Sequence, residues 1–213
     1  MNLKIYVLVT SDLCKGRPPD KVVNATLQGG ATAIQLREKN LLGRELVDLA
    51  LKYRQLTHQY GALFIVNDRL DIALAAGADG VHLGQDDIPA SVARRLLGPD
   101  KIIGVSVANA AEARKAREDG ADYVGLGPFF PTESKTDVGE PVDLDTLREV
   151  KGAVDIPVVA IGGIKVENAA VLCAAGADGV AVISAVVGAP DIKDATTRLV
   201  EAVQGKKLSK EGE

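Results

Sequence analysis

The chain has 213 residues, of which 46% are hydrophobic, and its 25 Lys and Arg against 29 Asp and Glu give a formal net charge of −4. This acidic balance argues against a general nucleic-acid or membrane surface, two cysteines are too few for a disulfide framework, and no apolar run reaches the roughly 20 residues of a membrane helix. We expect a cytoplasmic domain whose partners are small molecules, with a homo-oligomer left open.

Eight short apolar runs, typical of β-strands, follow one another along the chain. They cover residues 5–9, 33–36, 63–66, 80–83, 102–105, 123–126, 157–161 and 179–183. Trp is absent and Phe occurs only three times, so we expect a core built from Val, Ile, Leu and Ala.

The stretches between these runs have helical spacing and recurrent ends. Leu46, Leu49, Ala50, Tyr53 and Leu56 recur every three or four residues, as do Ala110, Ala113 and Ala116 with Val107 before them. A Gly-Ala pair precedes four of the strands, with the glycines at Gly30, Gly77, Gly120 and Gly176. Because helices commonly end at a left-handed glycine, each pair predicts a helix end followed by a strand.

Alternating strands and helices in about 200 residues predict a single α/β domain, a (β/α)8 TIM barrel over residues 1–204, with a polar tail at 205–213. An open, doubly wound parallel sheet is the structural competitor. In both architectures, functional groups are expected at the carboxyl ends of the strands.

The second strand continues into Gln35-Leu36-Arg37-Glu38-Lys39. Period-two alternation puts Gln35, Arg37 and Lys39 on one side and Leu36 with Glu38 on the other. If the first side faces the barrel mouth, an amide and two cations converge there on an anionic ligand, since Arg and Lys both suit phosphate. The alternative is a solvated, charged strand end.

Carboxylates follow the third and fourth strands, in Asn67-Asp68 and in the segment that ends at Asp87. Two carboxylates at one rim repel each other unless a cation lies between them, and Mg²⁺ takes one or two carboxylates with phosphates and waters. Position alone therefore favours a metal role for Asp68 and Asp87. Helix capping is the alternative, and we prefer it for Asp71 and Asp86.

The next strands carry less specific signals. We expect His82 to be a hydrogen-bonded core histidine and His58 to lie on the surface, while Ser106 either binds a ligand or, more simply, caps a helix. The long loop at 125–136 contains two Pro, two Phe, clustered hydroxyls and Lys135, which is a plausible active-site flap. A mobile excursion is the alternative.

The last two strands end in Gly162-Gly163 and in Ile183-Ser184, each followed by helical sequence. Barrels of this class often bind phosphate at this position, on backbone N–H groups that glycine leaves accessible. The two ends together predict a phosphate cup.

Seven motifs recur along the strand ends, namely Gln-Leu-Arg-Glu-Lys at 35–39, Asn-Asp-Arg at 67–69, His-Leu-Gly-Gln-Asp-Asp at 82–87, Gly-Val-Ser at 104–106, Gly-Pro-Phe-Phe-Pro-Thr-Glu-Ser-Lys at 127–135, Ile-Gly-Gly-Ile at 161–164 and Ile-Ser at 183–184. In these motifs the chain resembles the thiamine-phosphate synthase family along nearly the whole barrel. One departure is Ser134, where the family often has Thr.

The resemblance implies a role for each matching residue. The pyrimidine diphosphate would contact Gln35, Leu36, Arg37, Glu38, Lys39, Asn67, Ser106 and Lys135, Mg²⁺ would be held by Asp68 and Asp87, and the thiazole phosphate would contact Thr132, Glu133, Ser134, Gly163, Ile183 and Ser184. Lys135, Ser106 and Arg37 are the candidate catalytic residues.

The implied reaction is a magnesium-assisted, dissociative substitution at the pyrimidine methylene of 4-amino-2-methyl-5-(diphosphomethyl)pyrimidine, with diphosphate as the leaving group and the thiazole nitrogen as the nucleophile. It yields thiamine phosphate. The alternatives are a thiazole tautomerase of the same superfamily, a phosphate-binding regulatory protein without turnover, and an unrelated sugar-phosphate isomerase. The fold alone does not separate them.

Overall fold

In the computed structural model, which describes residues 1–132 and 140–205, eight parallel strands close into a barrel in chain order. The strands are β1 (Ile5–Val9), β2 (Ala33–Leu36), β3 (Leu63–Asn67), β4 (Gly80–Leu83), β5 (Ile102–Val107), β6 (Tyr123–Leu126), β7 (Val158–Ile161) and β8 (Gly179–Val182). Strand β1 pairs with β2 on one side and with β8 on the other, which closes the sheet. The (β/α)8 prediction is confirmed and the open sheet is wrong.

Helices surround this barrel. They are α1 (Pro19–Gln28), α2 (Gly43–Tyr60), α3 (Leu70–Ala75), α4 (Ala90–Leu97), α5 (Ala110–Glu118), α6 (Leu144–Ala153), α7 (Val166–Ala174), the short α8 (Ser184–Val187) and α9 (Ile192–Val203). Of the helices in the described ranges, none is both long enough and apolar enough to cross a membrane.

The predicted and observed strand ends differ most at β5. Spacing had placed Val107 on the face of the following helix, but Val107 is the last residue of β5. Helix α5 starts later because Asn109 is its N-cap, with a side chain that accepts a hydrogen bond from the Glu112 N–H. Because β5 is longer than predicted, Ser106 lies within the strand, near its carboxyl end at the mouth of the barrel.

The core has two compartments, and tyrosine contributes more to it than composition suggested. One compartment lies between the sheet and the helices, and the other fills the barrel interior. Tyr6, Tyr53, Tyr123 and Phe64 are among the largest fully buried side chains. The expectation of a purely aliphatic core was wrong, because three of the four tyrosines point inward.

The repeated Gly-Ala pairs have a common structural role. Gly30, Gly77, Gly120 and Gly176 all have positive φ, as left-handed helix ends require. The residue after each Ala then binds the preceding strand of the barrel through its side chain. Asp79 accepts a hydrogen bond from Phe64 N–H at 2.7 Å, and Asp122 and Asp178 repeat this contact with Ile103 and Val158. The sequence repeat therefore links consecutive strands.

Candidate active site

A cavity of about 980 Å³ opens at the carboxyl ends of the strands, where functional groups were expected. It is lined by ten of the predicted site residues, namely Arg37, Lys39, Asn67, Asp68, Asp87, Ser106, Thr132, Gly163, Ile183 and Ser184. The fold thus brings together side chains that are up to 147 positions apart in the sequence, between Arg37 and Ser184.

Three predicted side chains point away from this cavity. Leu36 is buried in the core between sheet and helices, and Glu38 accepts hydrogen bonds from the N–H and the hydroxyl of Ser11, both at 2.7 Å. Gln35 lies in the barrel interior below the cavity and is 1% exposed. The predicted alternation holds for Arg37 and Lys39, which line the cavity while Leu36 and Glu38 face away from it, but Gln35 does not reach the cavity as predicted. Ligand contact by Leu36 or Glu38 would have to come from the backbone. The predicted residues Glu133, Ser134 and Lys135 lie outside the described residues.

Asp68 and Asp87 meet at the rim above β3 and β4. Asp68 has a positive φ of 61°, a conformation that is uncommon for residues other than glycine. Its N–H donates to the carbonyl of His82 at 2.9 Å, which ties the turn to β4. Its carboxylate pairs with Lys39 Nζ at 2.7 Å and lies within hydrogen-bonding reach of Asp87. Asp87 in turn accepts from Gly84 N–H at 2.7 Å.

This pair of carboxylates suits a divalent cation. Burial raises the pKa of Asp68 above its ordinary value, and the adjacent Asp87 raises it further, while Lys39 opposes the shift. Over residues 1–132 and 140–205 no group of three or more His, Cys, Asp or Glu side chains could hold a metal. A cation bound by the two aspartates would therefore need further oxygens, which for Mg²⁺ are typically substrate phosphates and waters.

Helix capping does not explain the acidic rim or Ser106. The residues at the N-caps of α3, α4 and α5 are Arg69, Pro89 and Asn109. Ser106 is instead hydrogen-bonded to His82 Nε2 at 2.9 Å, so its predicted capping role was wrong. Asp86 lines the cavity three residues before Pro89, so its predicted capping role was also wrong.

Asp71 behaves as expected for an acidic residue in a first helical turn. It is the second residue of α3 and forms a bidentate ion pair with Arg69, in which Nε donates to Oδ1 at 2.8 Å and Nη2 donates to Oδ2 at 2.6 Å. The Arg69 guanidinium lowers the pKa of Asp71, and the carboxylate also suits the positive end of the helix.

Gly162 and Gly163 shape the opposite rim, above β7. Both have positive φ, and the carbonyls of Ile161 and Gly162 accept hydrogen bonds from the loop that follows β6. Phe129 N–H donates to the carbonyl of Ile161 and Phe130 N–H to that of Gly162, both at 3.1 Å. Over residues 127–132 this loop is therefore anchored to β7, which contradicts the alternative of a mobile excursion for that part.

The short helix α8 is held in place by cations from the loop after β1. Arg17 donates to the carbonyls of Val187 at 2.6 Å and Ala189 at 2.7 Å, and Lys15 Nζ donates to that of Gly188 at 2.6 Å. Lys and Arg commonly bind the last carbonyls of a helix in this way. These contacts fix the orientation of Ser184, the first residue of α8, which faces the cavity.

Sequence reasoning missed three features of the site. Gln85 lines the cavity and donates to the carbonyl of Ser106 at 2.5 Å, and Lys165 places a further cation beside Gly163. His82 was correctly predicted to be a hydrogen-bonded core residue, yet it also lines the cavity. Lys165 could have been found, since it follows directly after the segment that ends β7.

Comparisons with known proteins bear on the family and the fold of this chain. The sequence model of a family described as thiamine monophosphate synthase matches residues 5–186. The chain is 59% identical to a thiamine-phosphate synthase of Moorella thermoacetica, over 93% of this chain and 95% of that protein. It is 50% identical to one from Chloroflexus aurantiacus, over 92% and 90%. The solved thiamine phosphate pyrophosphorylase of Pyrococcus furiosus superposes with a TM-score of 0.87 at 46% identity, covering 95% of this chain and 96% of that one.

Proposed function

Because the chain belongs to the thiamine-phosphate synthase family, we propose that it joins 4-amino-2-methyl-5-(diphosphomethyl)pyrimidine to a thiazole phosphate and releases diphosphate and thiamine phosphate. The relatives are enzymes of this name, and the fold, the family and the enzymatic character of the chain follow from them. The substrates, the metal and the residue roles that follow are our proposal.

The observation that carries the proposal is a cavity with two chemically unlike groups of residues on opposite sides. The acidic pair lies at β3 and β4, and the glycine turn with Ser184 lies at β7 and β8, half a barrel away in the closed strand order. An acidic rim attracts a phosphate group only together with a cation, whereas a glycine turn accepts one through backbone N–H groups. This asymmetry suits one diphosphate and one monophosphate substrate.

On the acidic side, Asp68 and Asp87 would hold Mg²⁺, and Arg37, Lys39 and Asn67 line the same part of the cavity. Bound Mg²⁺ supplies a Lewis acid that offsets charge on the leaving diphosphate. Arg37 suits bidentate contact with phosphate and Lys39 a point-charge contact. Lys135 was assigned to the same leaving group by resemblance, and that assignment remains part of the proposal.

On the opposite side, Gly163, Ile183 and Ser184 would bind the phosphate of the thiazole, with Thr132 at the edge of the cavity and Lys165 as an added cation. Glu133 and Ser134 keep their proposed thiazole-phosphate role by resemblance alone. The two anchored substrates then meet with the methylene and the thiazole nitrogen in line. Since an aminopyrimidine can stabilise a cationic methylene, alignment and charge stabilisation are the main tasks and no protein nucleophile is needed.

Calorimetric titration of each substrate alone tests the two sites separately. We expect the thiazole phosphate to bind equally well with Mg²⁺ or with excess chelator, and the pyrimidine diphosphate to bind much more weakly in chelator. Asp87→Asn should weaken the second affinity only. Asp86→Asn is the matched control, because Asp86 lines the same cavity but is not part of the acidic pair. Diphosphate binding that is indifferent to both Mg²⁺ and Asp87 would overturn the proposal.

A further inference from the structure

A continuous chain of hydrogen bonds crosses the barrel interior and ends at the cavity. Gln35 Nε2 lies 2.6 Å from the Tyr6 hydroxyl, which lies 2.9 Å from the Tyr123 hydroxyl. The Tyr123 hydroxyl is 2.9 Å from His82 Nδ1, and His82 Nε2 is 2.9 Å from Ser106 Oγ. All but Ser106 are buried, and Ser106 lines the cavity. Five strands thus contribute one polar side chain each.

Two glycines leave room for this chain. A Cβ at Gly104 would lie 2.1 Å from Cζ of Tyr123, and a Cβ at Gly125 would lie 3.1 Å from Cε1 of His82. Glycine in the interior of a strand weakens the strand and often marks a close approach of another group. Here the two groups that approach are the middle members of the hydrogen-bonded chain.

The hydrogen-bonded chain has one donor-to-acceptor direction, because each hydroxyl carries a single proton. The Gln35 amide donates to the Tyr6 oxygen, so the Tyr6 proton goes to its other described partner, Tyr123. The Tyr123 proton then goes to His82 Nδ1, which must accept it. A neutral imidazole that accepts at Nδ1 carries its own proton at Nε2. His82 therefore donates to the Ser106 oxygen, and the Ser106 proton remains available for a ligand.

Two further observations support this direction. Burial raises the pKa of both Tyr6 and Tyr123, so both phenols keep their protons. Gln35 Oε1 is buried and has no hydrogen-bond partner within residues 1–132 and 140–205. Reversal of the chain would turn Oε1 towards Tyr6 and leave the amide NH2 as the orphan group. Buried N–H groups without a partner are rarer than under-satisfied carbonyls.

We propose that Tyr123, supported by Tyr6 and Gln35, is a positioning residue that holds His82 in the Nε2–H form and so makes Ser106 a hydrogen-bond donor to the ligand. A donor at this place suits a pyrimidine ring nitrogen, which only accepts, and disfavours the exocyclic amino group, which donates. This choice of ligand atom rests on the proposed function. The direction of the hydrogen-bonded chain is independent of the proposed function, because groups within the protein determine it.

Nitrogen NMR of the histidine rings tests the direction without any substrate. The chain has two histidines, and His58→Gln leaves His82 as the sole signal. At roughly pH 8.5 an ordinary histidine is neutral, and we expect His82 to be protonated at Nε2 with Nδ1 unprotonated. A ring that carries a proton at Nδ1 would overturn the proposal, whether the ring is neutral or doubly protonated.

Tyr123→Phe tests the positioning role against a matched control. Tyr53 is also fully buried, and its hydroxyl forms no hydrogen bond with any residue that the structure describes. We expect Tyr123→Phe to shift the His82 tautomer population and to lower kcat roughly two- to ten-fold, the worth of one hydrogen bond, with an unchanged KM for the thiazole phosphate. Tyr53→Phe should leave the tautomer unchanged.

Tyr6→Phe is a second variant with the same expected shift, should Tyr123→Phe fold poorly. An unchanged His82 tautomer in folded Tyr123→Phe and Tyr6→Phe contradicts the positioning role even if the enzyme is active. Conversely, the expected tautomer in an enzyme that makes no thiamine phosphate would contradict only the proposed function. The two failures are therefore distinguishable.

Discussion

At the scale of single residues, Asp68 combines two features that favour function over stability. Its backbone has a φ of 61° and its carboxyl has a raised pKa, caused first by burial and then by Asp87. A raised carboxyl pKa means that ionisation costs more in the folded protein than in the unfolded chain. This cost appears as the pH rises above the ordinary carboxyl range and is complete above the folded-state pKa.

Asp68→Asn should therefore keep or slightly raise the free energy of unfolding while it removes magnesium-dependent activity. Asn removes the charge and tolerates the left-handed conformation, and the lost pair with Lys39 is a surface contact worth about 0–1 kcal/mol. Urea denaturation and a rate measurement over a range of Mg²⁺ concentrations check both parts. A variant that unfolds readily would show that Asp68 serves the fold, as the capping alternative assumed.

Gly163 shows why a phosphate contact is difficult to test at this rim. A Cβ there would lie 2.6 Å from the carbonyl oxygen of Pro131 and 2.7 Å from Cβ of Phe130, on a backbone with a φ of 62°. Any side chain would therefore disturb the loop after β6 as well as the proposed phosphate position. A loss of binding alone does not separate these two effects.

A comparison with Gly61 separates them, because Gly61 has nearly the same φ, 64°, and no atom within 4 Å of an added Cβ. Both alanine variants should lose about 1–2 kcal/mol from backbone strain. Gly163→Ala should lose about 1–3 kcal/mol more through overlap with the loop, and it should also weaken binding of the thiazole phosphate. Equal losses in urea denaturation, with unchanged phosphate affinity, would contradict both the contact and the placement.

At the scale of the elements, the sequence predicted the strands well because their signals are local. The apolar runs and Gly-Ala pairs located all eight strands, and the errors are confined to their ends, as at Val107. The predicted alternation of residues 35–39 was also correct for Arg37 and Lys39, because alternation is a property of the strand itself, whereas Gln35 is buried below the cavity. The role of Ser106 was not predictable in this way, since it depends on His82, which is 24 positions away in the sequence.

The repeated aspartates stabilise neighbouring strands. Asp79 accepts from the Phe64 N–H at 2.7 Å and pairs with Arg54 at 2.8 Å. Asp79→Ala leaves this buried N–H without its partner, so we expect a loss of about 1–3 kcal/mol in the free energy of unfolding. Asp145→Ala removes a surface ion pair with Arg148 on α6 and should change the free energy of unfolding by less than about 1 kcal/mol. Equal effects of the two substitutions in urea denaturation would contradict the structural role of the repeat.

At the scale of the whole molecule, barrel closure determines which strand ends face each other. The acidic pair follows β3 and β4, the glycine turn follows β7 and Ser184 follows β8, so the two proposed anion sites lie on opposite sides of one cavity. This arrangement could be predicted only from the predicted barrel fold, because no local sequence pattern connects Asp68 with Ser184. The polar chain through the interior escaped prediction for the same reason, since its members come from five strands.

The most direct measurement is product formation from both substrates with purified protein and Mg²⁺. We predict thiamine phosphate and diphosphate in equal amounts, no product when either substrate is omitted, and loss of activity in excess chelator. Conversion of the thiazole phosphate alone would instead indicate the tautomerase alternative. Failure to form thiamine phosphate from both substrates, or an unchanged rate in excess chelator, would contradict a magnesium-dependent synthase.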